Sequence, residues 1–166
     1  MARIAAALFA TVLATVPWIA GPALAASKKA AVFDLQYSNL SPVPTDAAEH
    51  ERLKRTSAEL RDLLRDKGLF TVVSTDPVRD EVAKGPELRR CNGCADALAR
   101  KLGADVAITG EVQKVSNLIL NLNVYVKPLD GTGPERAYSV DLRGNTDESF
   151  DRAVRFLVEN NMGAGR

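Results

Sequence analysis

Cys91 and Cys94, in the run Cys91-Asn92-Gly93-Cys94, are the only cysteines of the chain. A thiolate at the start of a helix is stabilised by the helix dipole, so this spacing supports thiol–disulfide exchange. The same spacing closes a small structural ring that pins a loop to a helix start, worth about 2 kcal/mol in the chain-entropy account. Other chemistries lack partners. A c-type haem site needs histidine where this chain has Ala95, and a zinc site needs two more ligands although the only histidine is His50, on a distant helix. A thioredoxin-like motif follows a strand directly, whereas Glu87-Leu88-Arg89-Arg90 reads as a loop. Two cysteines in an exported chain point to one bridge, with redox exchange as the alternative.

Two polar groupings come next. Asn117, Asn121, Asn123 and Tyr125 recur at every second or fourth position along one strand and share a face. Amides on such a face can pair with a peptide or a glycan, and they also suit the solvated side of a half-buried sheet. Arg143-Gly144-Asn145-Thr146-Asp147-Glu148-Ser149 crowds polar groups at a strand-to-helix junction. Asn145 or Thr146 is a good N-cap, and Asp147 and Glu148 lie where the helix dipole favours negative charge, which argues against a phosphate site. Arg143, Asn145 and Asp147 are the residues there best placed to contact a partner. Gly-rich phosphate loops, a G-x-S-x-G elbow and H-E-x-x-H are all absent from the sequence, so no enzyme, cofactor or metal is expected.

Export is read from the first residues. Arg3 precedes the apolar run Ile4–Ala14, helix breakers follow at Pro17, Gly21 and Pro22, and Ala23-Leu24-Ala25 supplies a small-residue cleavage site. Residues 1–26 are therefore expected to be a cleavable signal peptide. The run is too short for a spanning helix, which needs roughly 20 apolar residues. Lys and Arg total 22 against 21 acidic residues, and loss of Arg3 with the signal balances the two signs. A neutral, mixed surface gives no footprint for nucleic acid or an anionic membrane, and no anchor is expected after cleavage. Residues 27–166 suit one periplasmic domain with a hydrophobic core.

The elements that must position these groups follow from periodicity. Ala30–Leu35 reads as a buried strand, broken from Ser38 to Pro44. Asp46 with Glu49 forms a capping-box signature before Leu53, Leu60, Leu63 and Leu64 at helical spacing. Phe70–Val73 is a second strand, Asp76-Pro77 starts a short helix, and Ala95, Leu98, Ala99 and Leu102 line another. Val106, Ile108, Gly110 and Val112 share a strand face. After a tight turn near Val115-Ser116, Leu118, Leu120, Leu122, Val124 and Val126 share another. Tyr138, Val140 and Leu142 mark a last strand, and Phe150, Val154, Leu157 and Val158 a closing helix. The expected fold is α/β (α+β) in the order β-α-β-α-α-β-β-β-α, a single mixed five-stranded sheet with helices mainly on one face.

Leu102-Gly103-Ala104-Asp105-Val106-Ala107-Ile108-Thr109-Gly110-Glu111-Val112 resembles the G-A-D-x-x-x-x-G-x-V signature of bacterial envelope domains. These include the periplasmic domain of the curli secretion protein CsgG, the amino-terminal domain of TolB and lipoprotein activators of peptidoglycan synthases. From Cys91 to about Asn161 the chain resembles an uncharacterised family of secreted bacterial proteins, through C-N-G-C, K-V-S-N-L-I-L at Lys114–Leu120 and R-G-N-T-D-E-S at Arg143–Ser149. That resemblance implies no catalytic residue. It implies an accessory role beside quinoprotein alcohol dehydrogenase systems or in cell-envelope assembly. The expected function is a non-enzymatic periplasmic interaction protein with a protein partner, and a thiol–disulfide redox protein is the alternative.

Overall fold

A computed structural model describes residues 27–163, so the expected signal peptide at 1–26 lies outside the described residues. The first strand, β1 (Lys29–Val32), is shorter than its apolar run suggests. Phe33, Asp34 and Leu35 interrupt it, and the chain resumes as β2 (Gln36–Asn39) where a break was expected from Ser38. The cause is the long neighbour β4 (Val106–Lys114), whose free edge outruns β1. Both short strands pair with it in parallel, β1 at Val106–Ile108 and β2 at Glu111–Lys114. At the interruption the Phe33 amide donates to the Ile108 carbonyl, and the Leu35 amide to the Ser57 hydroxyl at 3.0 Å. The amides of Phe33 and Leu35 thus keep partners although the ladder is interrupted.

Helix α1 (Ala47–Asp66) starts at Asp46 with the expected capping box: the Glu49 amide donates to Asp46 and the Asp46 amide to Glu49. It leads to β3 (Thr71–Val73), which lies parallel to β1 on its other side. A 3₁₀ turn at Asp76–Val78 runs into α2 (Arg79–Lys84), and α3 (Cys94–Lys101) follows. The chain then forms the meander β4, β5 (Leu120–Pro128) and β6 (Arg136–Leu142), closed by α4 (Asp147–Phe156) and a wide turn through Met162. The sheet order is β3-β1-β4-β5-β6, with β2 continuing the lane of β1: a single mixed sheet as expected, but with six strands instead of five, because β2 adds one.

The two long helices cover one face. Leu60 and Leu64 of α1 and Phe150, Val154 and Leu157 of the closing segment pack on Val32, Ile108, Val112, Leu122 and Val124. The short helices cover only one end of the opposite face, where Val78, Ala95 and Ala99 meet Ala31, Phe33 and Ala107. Gly110 sits in mid-strand because a Cβ there would collide with Leu35 Cδ2 and lie 2.8 Å from the Asn123 carbonyl oxygen. The β4–β5 connection is wider than the tight turn expected, and β5 begins at Leu120, not at Asn117. Leu118, expected on the buried face, is 81% exposed in that connection.

Candidate functional site

The β4–β5 hairpin carries two polar clusters, one on each face. On β4 the inward positions run Val106, Ile108, Gly110, Val112 and then Lys114, so the apolar stripe ends in an ammonium pointing under α1. Lys114 meets Glu49, and both side chains are almost fully buried, at 3% and 4% exposed. The Asn145 amide also donates to Glu49, and donates to the Asn117 side-chain oxygen at 3.2 Å. The Asn145 backbone amide donates to the Asn117 carbonyl at 3.0 Å. Arg52, one turn along α1, donates to Asn145 and Asp147, each at 2.7 Å, with its guanidinium 5.5 Å from the Phe150 ring centroid. Thr146, not Asn145, supplies the N-cap of α4.

Burial alone would push the Glu49 carboxyl up, but Lys114, the Asp46 amide and Asn145 outweigh it and hold the group below the ordinary Glu value. Desolvation and the Glu49 carboxylate together push the Tyr37 hydroxyl up to about 12. Arg52 holds Asp147 low. Every charge in this cluster is matched from within it. Asn117, Asn145 and Asp147 therefore belong to a lock that ties the hairpin, α1 and the β6–α4 junction together. Exposed Arg143 lies outside that lock.

The opposite face is open along its distal half, because α2 and α3 reach only its other end. Asn121, Asn123 and Tyr125 of β5 lie there together, as expected, without Asn117. Ser139 of β6 donates to Asn121 at 2.9 Å or to Asn123 at 2.8 Å, and the Asn121 amide donates to Asp141 at 2.8 Å. Gln113 donates to Glu111 at 2.9 Å. These bonds link the side chains of the face to one another.

The disulfide loop borders this face. Cys91 and Cys94 are joined, with Cα atoms 5.6 Å apart, and Cys94 opens α3. Gly93 between them adopts φ 86°, a left-handed turn that brings the two sulfurs round to each other. The same loop sends Arg89 across the sheet, its guanidinium 3.4 Å from the Tyr125 ring centroid and paired with Glu135 at 3.0 Å and 3.3 Å. Burial and Glu111 raise the Tyr125 hydroxyl pKa. A cleft of about 310 Å³ lies between Cys91–Gly93, Thr109, Lys127 and Glu135. Among the described residues no group of three or more His, Cys, Asp or Glu side chains could hold a metal ion, and no helix is long and apolar enough to cross a membrane.

The sequence reading missed the Glu49–Lys114 pair. Its signal was a lysine in phase with a core stripe, which demands a buried counter-charge. Arg89, Ser139 and Glu135 were also missed, since register and loop path bring them to the face.

Among solved structures the chain is similar to the LpoB C-terminal domain from Salmonella enterica, at 14% identity, covering 69% of this chain and 83% of that one with a TM-score of 0.46. It is similar to the PelC dodecamer from Paraburkholderia phytofirmans at 16% identity, covering 83% and 89% with a TM-score of 0.47. It is also similar to lipoprotein GNA1162 from Neisseria meningitidis at 14% identity, covering 82% and 99% with a TM-score of 0.45. Among curated proteins none matches. The sequence profile of one family spans residues 28–162, nearly all of the described fold, and the chain belongs to that family, described as "Protein of unknown function (DUF2380)".

Proposed function

We propose that the chain is a non-enzymatic periplasmic accessory protein that binds a protein partner through the open face of β4, β5 and β6. One observation carries this reading: half of a sheet face lacks helical cover, and its amides are ordered by Ser139 and Asp141 before any partner arrives. Preorganised polar groups lose little entropy on binding, and an aromatic–arginine pair such as Tyr125–Arg89 is the kind of anchor that interfaces favour. The signal pattern of residues 1–26 and the likeness of the Leu102–Val112 run to CsgG and TolB domains support export. The family resemblance supports work beside a quinoprotein dehydrogenase system or in envelope assembly.

The test is affinity recovery with crosslinking from periplasm, comparing wild type with an Asn121→Ala, Asn123→Ala double variant. A partner held by wild type and lost by the variant supports the reading. Recovery of no partner by wild type, or equal recovery by both, counts against it.

A second reading has one observation in its favour: Cys94 is the first residue of α3, where a released thiolate gains from the helix dipole. Equilibration with a glutathione series separates the two. A structural bridge has a potential below about −300 mV, and an exchanging one lies well above it.

A further inference from the structure

The end of the molecule above the buried lock is built from three loops that the sheet register brings together. Asn39 of β2 lies opposite Lys114, Leu120 lies opposite Leu142, and the Leu40 amide donates to the Lys114 carbonyl at 2.8 Å. Residues 40–45, 115–119 and 143–146 therefore share one tip. Five of its side chains are large, apolar and open to solvent: Leu118 is 81% exposed, Leu40 65%, Ile119 62%, Val43 57% and Val115 50%. Elsewhere the only large apolar side chain exposed to this degree among the described residues is Phe156. The loops at 40–45 and 115–119 contain no charged residue, and Arg143 is the single charge at 143–146. The carboxylates next along the chain are already engaged, Asp147 by Arg52 and Arg55 and Glu148 by Arg152.

Many backbone groups of these loops are satisfied from within. Ser116 accepts from the amides of Leu118 and Ile119, the Val115 amide donates to the Ile119 carbonyl, and Asn39 accepts from the Ser41 amide while its own amide donates to the Val43 carbonyl. Pro42 and Pro44 have no amide hydrogen to satisfy. A loop that needs few hydrogen bonds from water can enter a medium that supplies few. The buried Glu49–Lys114 pair beneath the tip, with Asn145 bonded to Glu49, holds the three loops in this arrangement.

We propose that this tip docks the protein on a phospholipid bilayer, its apolar side chains entering the interfacial layer and Arg143 pairing with a headgroup phosphate. A patch of five such side chains offers on the order of 500 Å². That is below the roughly 800 Å² per partner of a standard protein interface, and two copies meeting tip to tip would oppose their Arg143 charges. A bilayer sets no such minimum, and the unpaired cation suits its phosphates. Docking by the tip leaves the face of β4, β5 and β6 at the side of the molecule, free for a partner.

The test is cosedimentation of the protein recovered from periplasm with vesicles of phosphatidylethanolamine and phosphatidylglycerol. Wild type is expected to pellet with vesicles, and a Leu118→Asp, Ile119→Asp double variant to bind about tenfold less or weaker still. Both positions are exposed, so an unchanged melting midpoint verifies that the variant is folded. Arg143→Ala is expected to weaken binding to these vesicles about fivefold. Wild type remaining in the supernatant overturns the proposal, as does equal binding by wild type and the double variant. Vesicle-independent self-association that the double variant abolishes overturns it too, and assigns the tip to contact between copies.

Discussion

The two faces of the β4–β5 hairpin spend similar side chains on opposite ends. Under α1, Glu49 and Lys114 are buried and pair with each other, with half-buried Asn145 donating to the same carboxylate, so removing either charge strands the other away from water. On the far face, Asn121, Asn123 and Ser139 are equally well bonded but stand at the solvent boundary, where water replaces any partner removed. The residue type is the same in Asn145 and Asn123. Both are half-buried, and the partner makes the difference: Asn145 is tied to a buried carboxylate, Asn123 to an exposed serine hydroxyl.

This contrast can be broken most easily at Lys114. Replacing it by alanine leaves the Glu49 carboxylate buried without its cation and is expected to cost about 3–5 kcal/mol in urea denaturation. Pairing the change with Glu49→Gln, which removes the orphaned charge, should recover part of the loss. A cost for Lys114→Ala below about 1 kcal/mol would mean that water reaches the pair. The apolar part of the same stripe gives a second measure: Leu122→Ala is expected to cost about 2–5 kcal/mol by lost burial and a residual cavity.

Acid sharpens the comparison further. The folded state holds Glu49 below its ordinary value, so the pair contributes its stability above about pH 4.5 and loses it as pH falls through the depressed value. A denaturation series from neutral pH downward should show this decline, and Glu49→Gln should flatten it. The smallest effect is expected on the open face. Asn121→Ala and Asn123→Ala should each change stability by less than about 0.5 kcal/mol. Unfolding by either variant would place those amides in the core and the strand in the wrong register.

Local signals were legible in the sequence and nonlocal ones were not. The capping box at Asp46 and Glu49, the Asp76-Pro77 start and the alternation of β4 and of β5 from Leu120 onward depend on neighbours along the chain, and each stands where its pattern put it. β2 escaped notice because Gln36-Tyr37-Ser38-Asn39 is half-buried throughout and has no apolar alternation. Its pairing is decided by the length of β4, far along the chain. Leu118 looked like the next residue of an apolar stripe, but the turn closes through Ser116 and Ile119 and turns that side chain outward. The candidate site shows the same division. The shared face of Asn121, Asn123 and Tyr125 follows from period alone, whereas the bonds of Asn145 to Asn117 and to Glu49 join residues far apart along the chain.

A partner is proposed to sit on the face of β5 and β6. A photo-activated crosslinking residue placed at Asn123 in living cells tests it directly, with Arg152 on the exposed side of α4 as the comparison site. A discrete protein adduct is expected from position 123 and none from position 152. Adducts of equal yield from both positions, or from position 152 alone, would contradict it.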